Sequence, residues 1–355
     1  MRVELICNDG SPIGVIPPMI HGRGVGGAEL AMMGMTAALA KRGHEVVVYN
    51  DPESPGDYDG VSFRPLAEFS CPGAKDALIV FRSPNARVEF NRLGSTVPVV
   101  WWSTDQYTIG DFAGWSRLVD RIVTISPYHK DYLARTYGIP GDKMRSIDLG
   151  VRVADYDQDV PKVRGRCLYS SVPDRGLMIL HAAWPLIKRT APEANLVITS
   201  DYTLWGNASP GNHEHRLHWA GMPDVTFLGK VSRAELVRLQ LEAEILAYPC
   251  TYEELFCLSV AEAQVAGALP VTTPIGAIPT TAEHGIIITG IPTNPDFVER
   301  FSGRIASLLT EERNYLETRI PAMRLAARKR FDWDMIVGEW ESVLEPKVPP
   351  VRGES

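Results

Sequence analysis

Residues 248–268, reading YPCTYEELFCLSVAEAQVAGA, limit what this chain can fold into more than any other stretch. Ile245, Leu246, Ala247 and Tyr248 read as the end of an apolar strand, and Pro249 breaks it. An irregular run, Thr251-Tyr252-Glu253-Glu254, leads into a helix-forming segment that halts at Gly267. Strand, loop, helix and glycine stop is the order in which an α/β domain places a ligand at the carboxyl end of a strand. The first helical turn is predicted around Cys257, Leu258 and Ser259, where unbonded N–H groups and the positive end of the helix dipole suit a phosphate. Glu254 lies just before that turn and Glu262 one turn further in, so a ligand seated there meets one acid at each end. Two glutamates at this spacing also occur as plain surface residues. The proline break, the glycine stop and the apolar continuation Leu269-Pro270-Val271-Thr272-Thr273 favour the site.

A chain of 355 residues has room for two domains of ordinary size. With 45% hydrophobic and 22% charged residues it reads as globular rather than disordered. A net charge of −7 and a pI near 5.7 argue against a nucleic-acid partner, and no basic surface for membrane docking stands out. Cys7, Cys71, Cys167, Cys250 and Cys257 are scattered and lack metal-ligand spacing, as expected of free thiols in a reducing compartment. The sequence opens directly on a strand pattern, and no apolar run approaches the roughly 20 residues of a membrane span. The expectation is therefore a cytoplasmic protein whose oligomeric state the sequence leaves open.

In the first half, residues 3–7 read as a buried strand. A long glycine- and proline-rich loop leads to His21-Gly22-Arg23-Gly24-Val25-Gly26-Gly27-Ala28-Glu29-Leu30, a helix to about Arg42, and a second strand at 45–49. Gly22, Gly24 and Gly27 match G-x-G-x-x-G, with Asp51 about where a ribose-binding acid would stand. That dinucleotide reading needs its first glycine in the turn directly after the strand, and the long loop between Cys7 and Gly22 denies it that place. The favoured alternative is that Gly26 and Gly27 open the helix and let a phosphate approach bare backbone. Further strands are expected at 77–81, 97–102 and 121–125. Trp101 and Trp102 read as core before sugar platform, and Asp105 follows them at a strand end.

In the second half, residues 155–166 suit an interdomain linker, and a strand at 167–169 leads into Ser170-Ser171-Val172-Pro173-Asp174-Arg175-Gly176-Leu177 and a helix. An Arg at a helix N-terminus opposes the dipole, so Arg175 favours a bound anion over simple solubilisation. Residues 201–215 read as a mobile loop. His213, His215 and His218 raise a metal hypothesis that the shortage of acidic partners disfavours. A strand at 225–228 precedes Lys230 and Val231, a helix at 233–242 follows, and Gly276 marks a turn after 270–274. An amphipathic helix at about 333–345 precedes a loose tail.

The segment 252–263, with its Glu-x7-Glu spacing, closely resembles the signature of the family-4 retaining glycosyltransferases. Gly-Gly-Ala-Glu-Leu at 26–30 and Pro-Asp-Arg-Gly-Leu at 173–177 resemble that family's glycine pair and second phosphate motif. The resemblance implies the α/β GT-B fold, two Rossmann-like parallel-sheet domains facing a central cleft. It places an acceptor-side domain at 1–155, with the 333–345 helix crossing back onto it, and a donor-binding domain at 165–330. It implies a metal-independent hexosyltransferase that moves a sugar from a nucleoside-diphosphate sugar to an acceptor, with no tightly bound cofactor. Catalytic positions by resemblance are Glu254, Arg175 and Asp105. Donor contacts are Gly26, Gly27, Ser170, Arg175, Lys230, Val231, Glu254, Phe256, Cys257, Leu258, Ser259 and Glu262, with Glu262 on the ribose. Thr104 stands where many relatives carry His, and Ser170 where they carry a basic residue. A sugar-nucleotide epimerase, a phosphorylase and a non-catalytic nucleotide-sugar-binding protein remain as alternatives, and donor base, donor sugar and acceptor are open.

Overall fold

The computed structural model describes residues 1–7, 14–22, 24–84, 88–108, 110–205 and 211–346; of residues 22, 204, 205 and 211–213 only the backbone is described. Arg23 and the tail residues 347–355 lie outside the described residues. The chain forms two compact units. One comprises residues 1–18, 28–150 and 333–355, the other residues 19–27 and 151–332.

The first unit is built on eight strands: β1 (Arg2–Ile6), β2 (Glu45–Tyr49), β3 (Gly56–Tyr58), β4 (Val61–Arg64), β5 (Ala77–Phe81), β6 (Val99–Trp102), β7 (Arg121–Thr124) and β8 (Met144–Ser146). They lie in the order β3-β4-β2-β1-β5-β6-β7-β8, all parallel except for the β3–β4 hairpin. Asp59 and Gly60 turn that hairpin with φ of 51° and 78°, the two positive values a tight two-residue turn requires. All five residues of β5 are buried, as expected of a parallel strand covered on both faces. Helices α1 (Pro17–Gly22), α2 (Gly27–Lys41), α3 (Phe112–Leu118) and α4 (Pro127–Tyr137) follow in this half of the chain. Trp101 and Trp102 are core residues: Trp101 packs 4.4 Å from Phe112 and Trp102 4.8 Å from Phe81, centroid to centroid. Asp51 accepts a hydrogen bond from Leu66 N–H at 2.7 Å, so the acid that invited a ribose reading serves a local turn.

The second unit has six parallel strands: β9 (Arg166–Tyr169), β10 (Asn195–Ile198), β11 (Val225–Phe227), β12 (Ile245–Tyr248), β13 (Leu269–Thr272) and β14 (Ile286–Ile287). Their order is β11-β10-β9-β12-β13-β14. Its helices are α5 (Leu177–Thr190), α6 (Gly211–Trp219), α7 (Arg233–Glu242), α8 (Leu258–Ala266), α9 (Ile278–Thr281), α10 (Pro295–Leu309) and α11 (Arg313–Arg330). Two expectations are corrected here. Residues 155–166, expected as an interdomain linker, lie within the second unit and pack on it: Tyr156 is fully buried and its hydroxyl donates to Gln240 at 2.7 Å, while Val163 N–H bonds Glu242 O at 2.8 Å. Part of the loop expected at 201–215 is helical, since α6 begins at Gly211, and residues 206–210 are outside the description. Among the described residues no helix is long and apolar enough to cross a membrane.

Helix α12 (Trp333–Leu344) belongs to the first unit. Trp333 fills a notch made by two glycines: a Cβ on Gly34 would lie 2.2 Å from its indole nitrogen, and one on Gly150 2.3 Å from its ring. One turn from the helix end, Trp340 packs 4.7 Å from Trp102. Glu341 takes two bonds from Arg42, at 3.0 and 2.6 Å, and lies 3.0 Å from the His44 ring. The Arg42 and His44 bonds hold its carboxyl down to about 2. A carboxylate depressed below its ordinary 4.5 adds stability above that value and loses it as pH falls toward 2. The melting temperature of Glu341→Gln should therefore lie below that of the unaltered protein at pH 6, with the gap closing as pH falls through 4.5 toward 2. A constant gap in calorimetry across that range would show that the carboxylate charge is not what anchors α12.

Candidate functional site

The order of the second sheet reverses between β9 and β12: the chain leaves β9 toward β10 on one side and later fills β12 and β13 on the other. Loops leaving the carboxyl ends of two strands at such a reversal diverge and open a crevice. Here those loops are residues 170–176, after β9, and 249–257, after β12.

The two loops touch backbone to backbone. Gly176 has φ of 113°, and a Cβ there would lie 2.1 Å from the Pro249 carbonyl oxygen. On the same contact, Thr251 Oγ1 donates to Asp174 O at 3.2 Å, and Ser259 Oγ donates to Ser170 O at 2.7 Å. Pro173–Arg175 form a single 3-10 turn, which holds the Arg175 guanidinium 3.0 Å from the centre of the Tyr252 ring. The Ser170 side-chain oxygen is buried and has no hydrogen-bond partner among the described residues.

Glu254 is fixed from three sides. The Tyr248 hydroxyl donates to its Oε1 at 2.8 Å, its own N–H bonds Tyr252 O at 2.9 Å, and Ala277 N–H donates to its carbonyl at 2.7 Å. Gly276, at φ of 61°, lies flat on the same peptide: a Cβ there would be 2.1 Å from Glu254 O. Burial raises the Glu254 carboxyl above its ordinary value, against the opposing pull of Arg175 and of the Tyr248 bond. Burial would lower the Arg175 guanidinium, and the nearby Glu254, Tyr252 and Asp174 more than offset it. The acid and the base read from distant parts of the sequence therefore sense one another.

Helix α8 starts at Leu258 with Cys257 before it at φ of 75°, a left-handed backbone rare outside glycine, and no side chain caps this end. The first N–H groups of α8 consequently have no side-chain capping oxygen. Phe256 and Cys257 are buried, while Leu258 and Ser259 are partly exposed. Gly27, which begins α2, lies beside this end: a Cβ on it would sit 3.6 Å from Leu258 Cδ2, an ordinary contact. Gly26 adjoins it and is partly exposed. Lys230 and Val231 follow the edge strand β11, with Lys230 N–H 3.4 Å from Asp201 Oδ2.

Glu262 lies one turn into α8 and is held by partners that the spacing does not show. It is 4% exposed, and its two oxygens accept from Arg233 at 2.6 Å and Gln240 at 3.1 Å, both on α7. Arg233 also donates to the Tyr156 hydroxyl at 3.1 Å. Nothing local in the sequence marked Arg233, Gln240 or Tyr156, because the three come together only when α7 docks on α8. Asp105 belongs to the first unit, where it accepts from the Thr104 hydroxyl at 3.2 Å and lies 3.5 Å from Arg82, itself 3.8 Å from Glu29. Among the described residues no group of three or more His, Cys, Asp or Glu side chains is arranged to hold a metal, and the His213 side chain lies outside the description.

The family model "Glycosyl transferases group 1" matches residues 165–311. Most of the second unit is thus similar to a group 1 glycosyltransferase domain. Its strands β9 to β14 and the whole candidate crevice fall inside the matched residues. The D-inositol 3-phosphate glycosyltransferase of Mycobacterium sp. (strain KMS) is 30% identical over 173 residues, covering 48% of this chain. The match spans only 36% of that relative's own length. Among solved structures, sucrose-phosphate synthase from Thermosynechococcus elongatus superposes with a TM-score of 0.71 at 16% identity, covering 97% of this chain and 98% of its own. HepE from Anabaena in complex with UDP gives 0.69 at 15%, with 97% and 99% covered. At these identities the structures speak to the fold, which is GT-B, as the sequence resemblance implied.

The two backbone contacts make a testable pair. Gly176→Ala and Gly276→Ala should each lower the melting temperature by several degrees, because about 1–3 kcal/mol of strain follows from forcing a side chain into occupied space, beyond the positive-φ cost. Gly303→Ala, where an added Cβ meets nothing within 4 Å inside α10, should leave it unchanged or raise it. Equal behaviour of all three in differential scanning calorimetry would refute the loop contact.

Proposed function

We propose that this chain is a retaining glycosyltransferase that moves a hexosyl group from a nucleoside-diphosphate sugar to an acceptor. The observation that carries the reading is the meeting of the Arg175 guanidinium, the Glu254 carboxyl and the uncapped amino end of α8 at the reversal point of the second sheet. Breaking a bond between a sugar and a diphosphate builds negative charge on the leaving oxygens. Donors already aimed at that charge lower the barrier because nothing must reorganise as it forms. The first N–H groups of α8, the Ser170 hydroxyl and the Arg175 fork are such donors.

Ser170 supplies one neutral hydrogen bond where a second cation would be expected, so Arg175 carries the larger share of the charge. Glu254 then orients the sugar and stabilises positive charge at its anomeric carbon, with Tyr248 holding the carboxylate in place. Gly27 lies beside the Leu258 side chain, and with Gly26 it would offer bare backbone to a phosphate. Lys230 and Val231 offer backbone to the base, and Asp105 of the first unit is proposed as a further catalytic residue. Each Glu262 oxygen has one lone pair taken by α7 and one left for a ribose hydroxyl, so Arg233 and Gln240 position it. All five cysteines are buried, which accords with the reducing, cytoplasmic setting proposed.

Glu254→Ala and Arg175→Ala should each slow sugar transfer at least about tenfold, roughly 1.4 kcal/mol of transition-state stabilisation. The donor for that assay comes from a thermal-shift panel of UDP-, GDP- and ADP-sugars, since a ligand bound only by the folded form raises the melting temperature. Undiminished transfer by either variant removes the proposal; donor turnover without any acceptor points to an epimerase instead. Glu262→Gln keeps the side-chain shape but leaves buried Arg233 without its counter-charge and sets an amide N–H against a donor, so it should lower the melting temperature. Measured well below that temperature, it should weaken nucleoside-diphosphate binding in calorimetry by about fivefold or more, the worth of roughly 1 kcal/mol. Unchanged affinity would assign Glu262 to the α7–α8 contact alone.

A further inference from the structure

At the opposite end of α8 from the crevice, the second unit holds a cavity of about 400 Å³, within the range that takes small molecules. Its walls are apolar, from Val160, Leu241, Ile320 and Leu325, and three cations border them: Lys162, Arg324 and Arg328. No carboxylate lines it.

The three cations are not equally compensated. The Lys162 ammonium donates to the carbonyls of Ala243 at 2.6 Å and Ala266 at 3.1 Å, at the carboxyl ends of α7 and α8. Arg328 pairs with Asp157, whose side chain is largely exposed. Glu244, the acid acting on Lys162, is already paired with Arg313 at 2.5 Å and bonded by Gly165 N–H at 2.7 Å, and Asp157 also acts on Arg324. Arg324 donates to the Tyr156 carbonyl at 3.3 Å, and its Nε is buried with no hydrogen-bond partner among the described residues. Burial, then the Arg328 charge, pull the Arg324 guanidinium below its ordinary value, and burial with the Arg324 charge pushes Lys162 down to about 7. Positive charge is thus crowded and desolvated against an apolar wall, an arrangement that costs free energy until an anion joins it.

We propose that this cavity binds an amphiphilic oxyanion, its carboxylate or phosphate head on Arg324 and Lys162 and a short alkyl body against Val160, Leu241, Ile320 and Leu325. A guanidinium fork matches either head, and the apolar wall adds roughly fourfold in affinity for each methylene it covers. This site is separate from the sugar-transfer reading and does not rest on it.

Calorimetric titration of the full chain with octanoate, octyl phosphate, octanol and inorganic phosphate tests the proposal. Octanoate or octyl phosphate should bind at least tenfold more tightly than both octanol and inorganic phosphate, and the stronger of the two identifies the head. Arg324→Gln should weaken that binding at least tenfold. Leu325→Glu, at a side chain 74% exposed and so tolerant of change, should do the same by placing a carboxylate at the mouth. Nucleoside-diphosphate binding in both variants should stay as in the unaltered protein, so a failed transferase reading leaves this result standing. The proposal is overturned if octanol binds as well as octanoate, if inorganic phosphate binds as well as octyl phosphate, if no amphiphile binds at millimolar concentration, or if both variants bind unchanged.

Discussion

The close approach of three loops, those after β9, β12 and β13, is the constraint on which the second unit's site depends. Gly176 lies on the Pro249 carbonyl and Gly276 on the Glu254 peptide, each in a backbone conformation that L side chains avoid. Any Cβ at either place would push the loops apart. Because they touch, Arg175 is pressed onto Tyr252 and Glu254 comes within reach of the Tyr248 hydroxyl. Cys257 carries the same strain without being a glycine, and it ends the second loop exactly where α8 begins. Strain of this kind persists where the surroundings over-determine it, and functional sites are where it collects.

Charge is handled in two ways in this unit. Where it is structural it is buried in matched pairs: Arg233 with Glu262, and Arg313 with Glu244. Removing one partner from such a pair leaves an uncompensated charge, a cost of about 3–5 kcal/mol, so these residues hold helices together whatever else they do. At the crevice and at the cavity beneath α8 the balance is looser. A carboxyl raised by burial faces a guanidinium beside an uncapped helix end, and a group of cations meets an apolar wall. Both ends of one nine-residue helix therefore carry unspent electrostatic capacity, at opposite poles of its dipole and in chemically distinct surroundings.

The first unit is held by a long-range closure. Its last helix, α12, follows the whole of the second unit in sequence, yet Trp333 fills the notch left by Gly34 and Gly150, and Arg42 clasps Glu341. Two glycines that look unremarkable, one in a helix and one in a loop, leave the space that an indole ring occupies.

Local chemistry determined much of this protein before any tertiary contact formed. Buried strands such as Ala77–Phe81 and Ile245–Tyr248, the helix from Arg233 to Glu242, and the break, turn and glycine stop around α8 are written in neighbouring residues, and so were Arg175 and Glu254 as candidates. The Asp59-Gly60 hairpin was legible too, by the positive φ such a pair favours, and went unread. Helices α10 and α11 also went unplaced, α11 because its many basic residues mask an apolar stripe. What only the tertiary structure decided are the partnerships between distant residues: the pairing of Glu262 with Arg233, the burial of Tyr156 in a stretch that reads as linker, and the crowding of Lys162 with Arg324 and Arg328. A sequence window records which groups can pair or lose solvent. Which ones do so depends on how helices more than twenty residues apart dock against one another, and that is set by the packing of the whole unit.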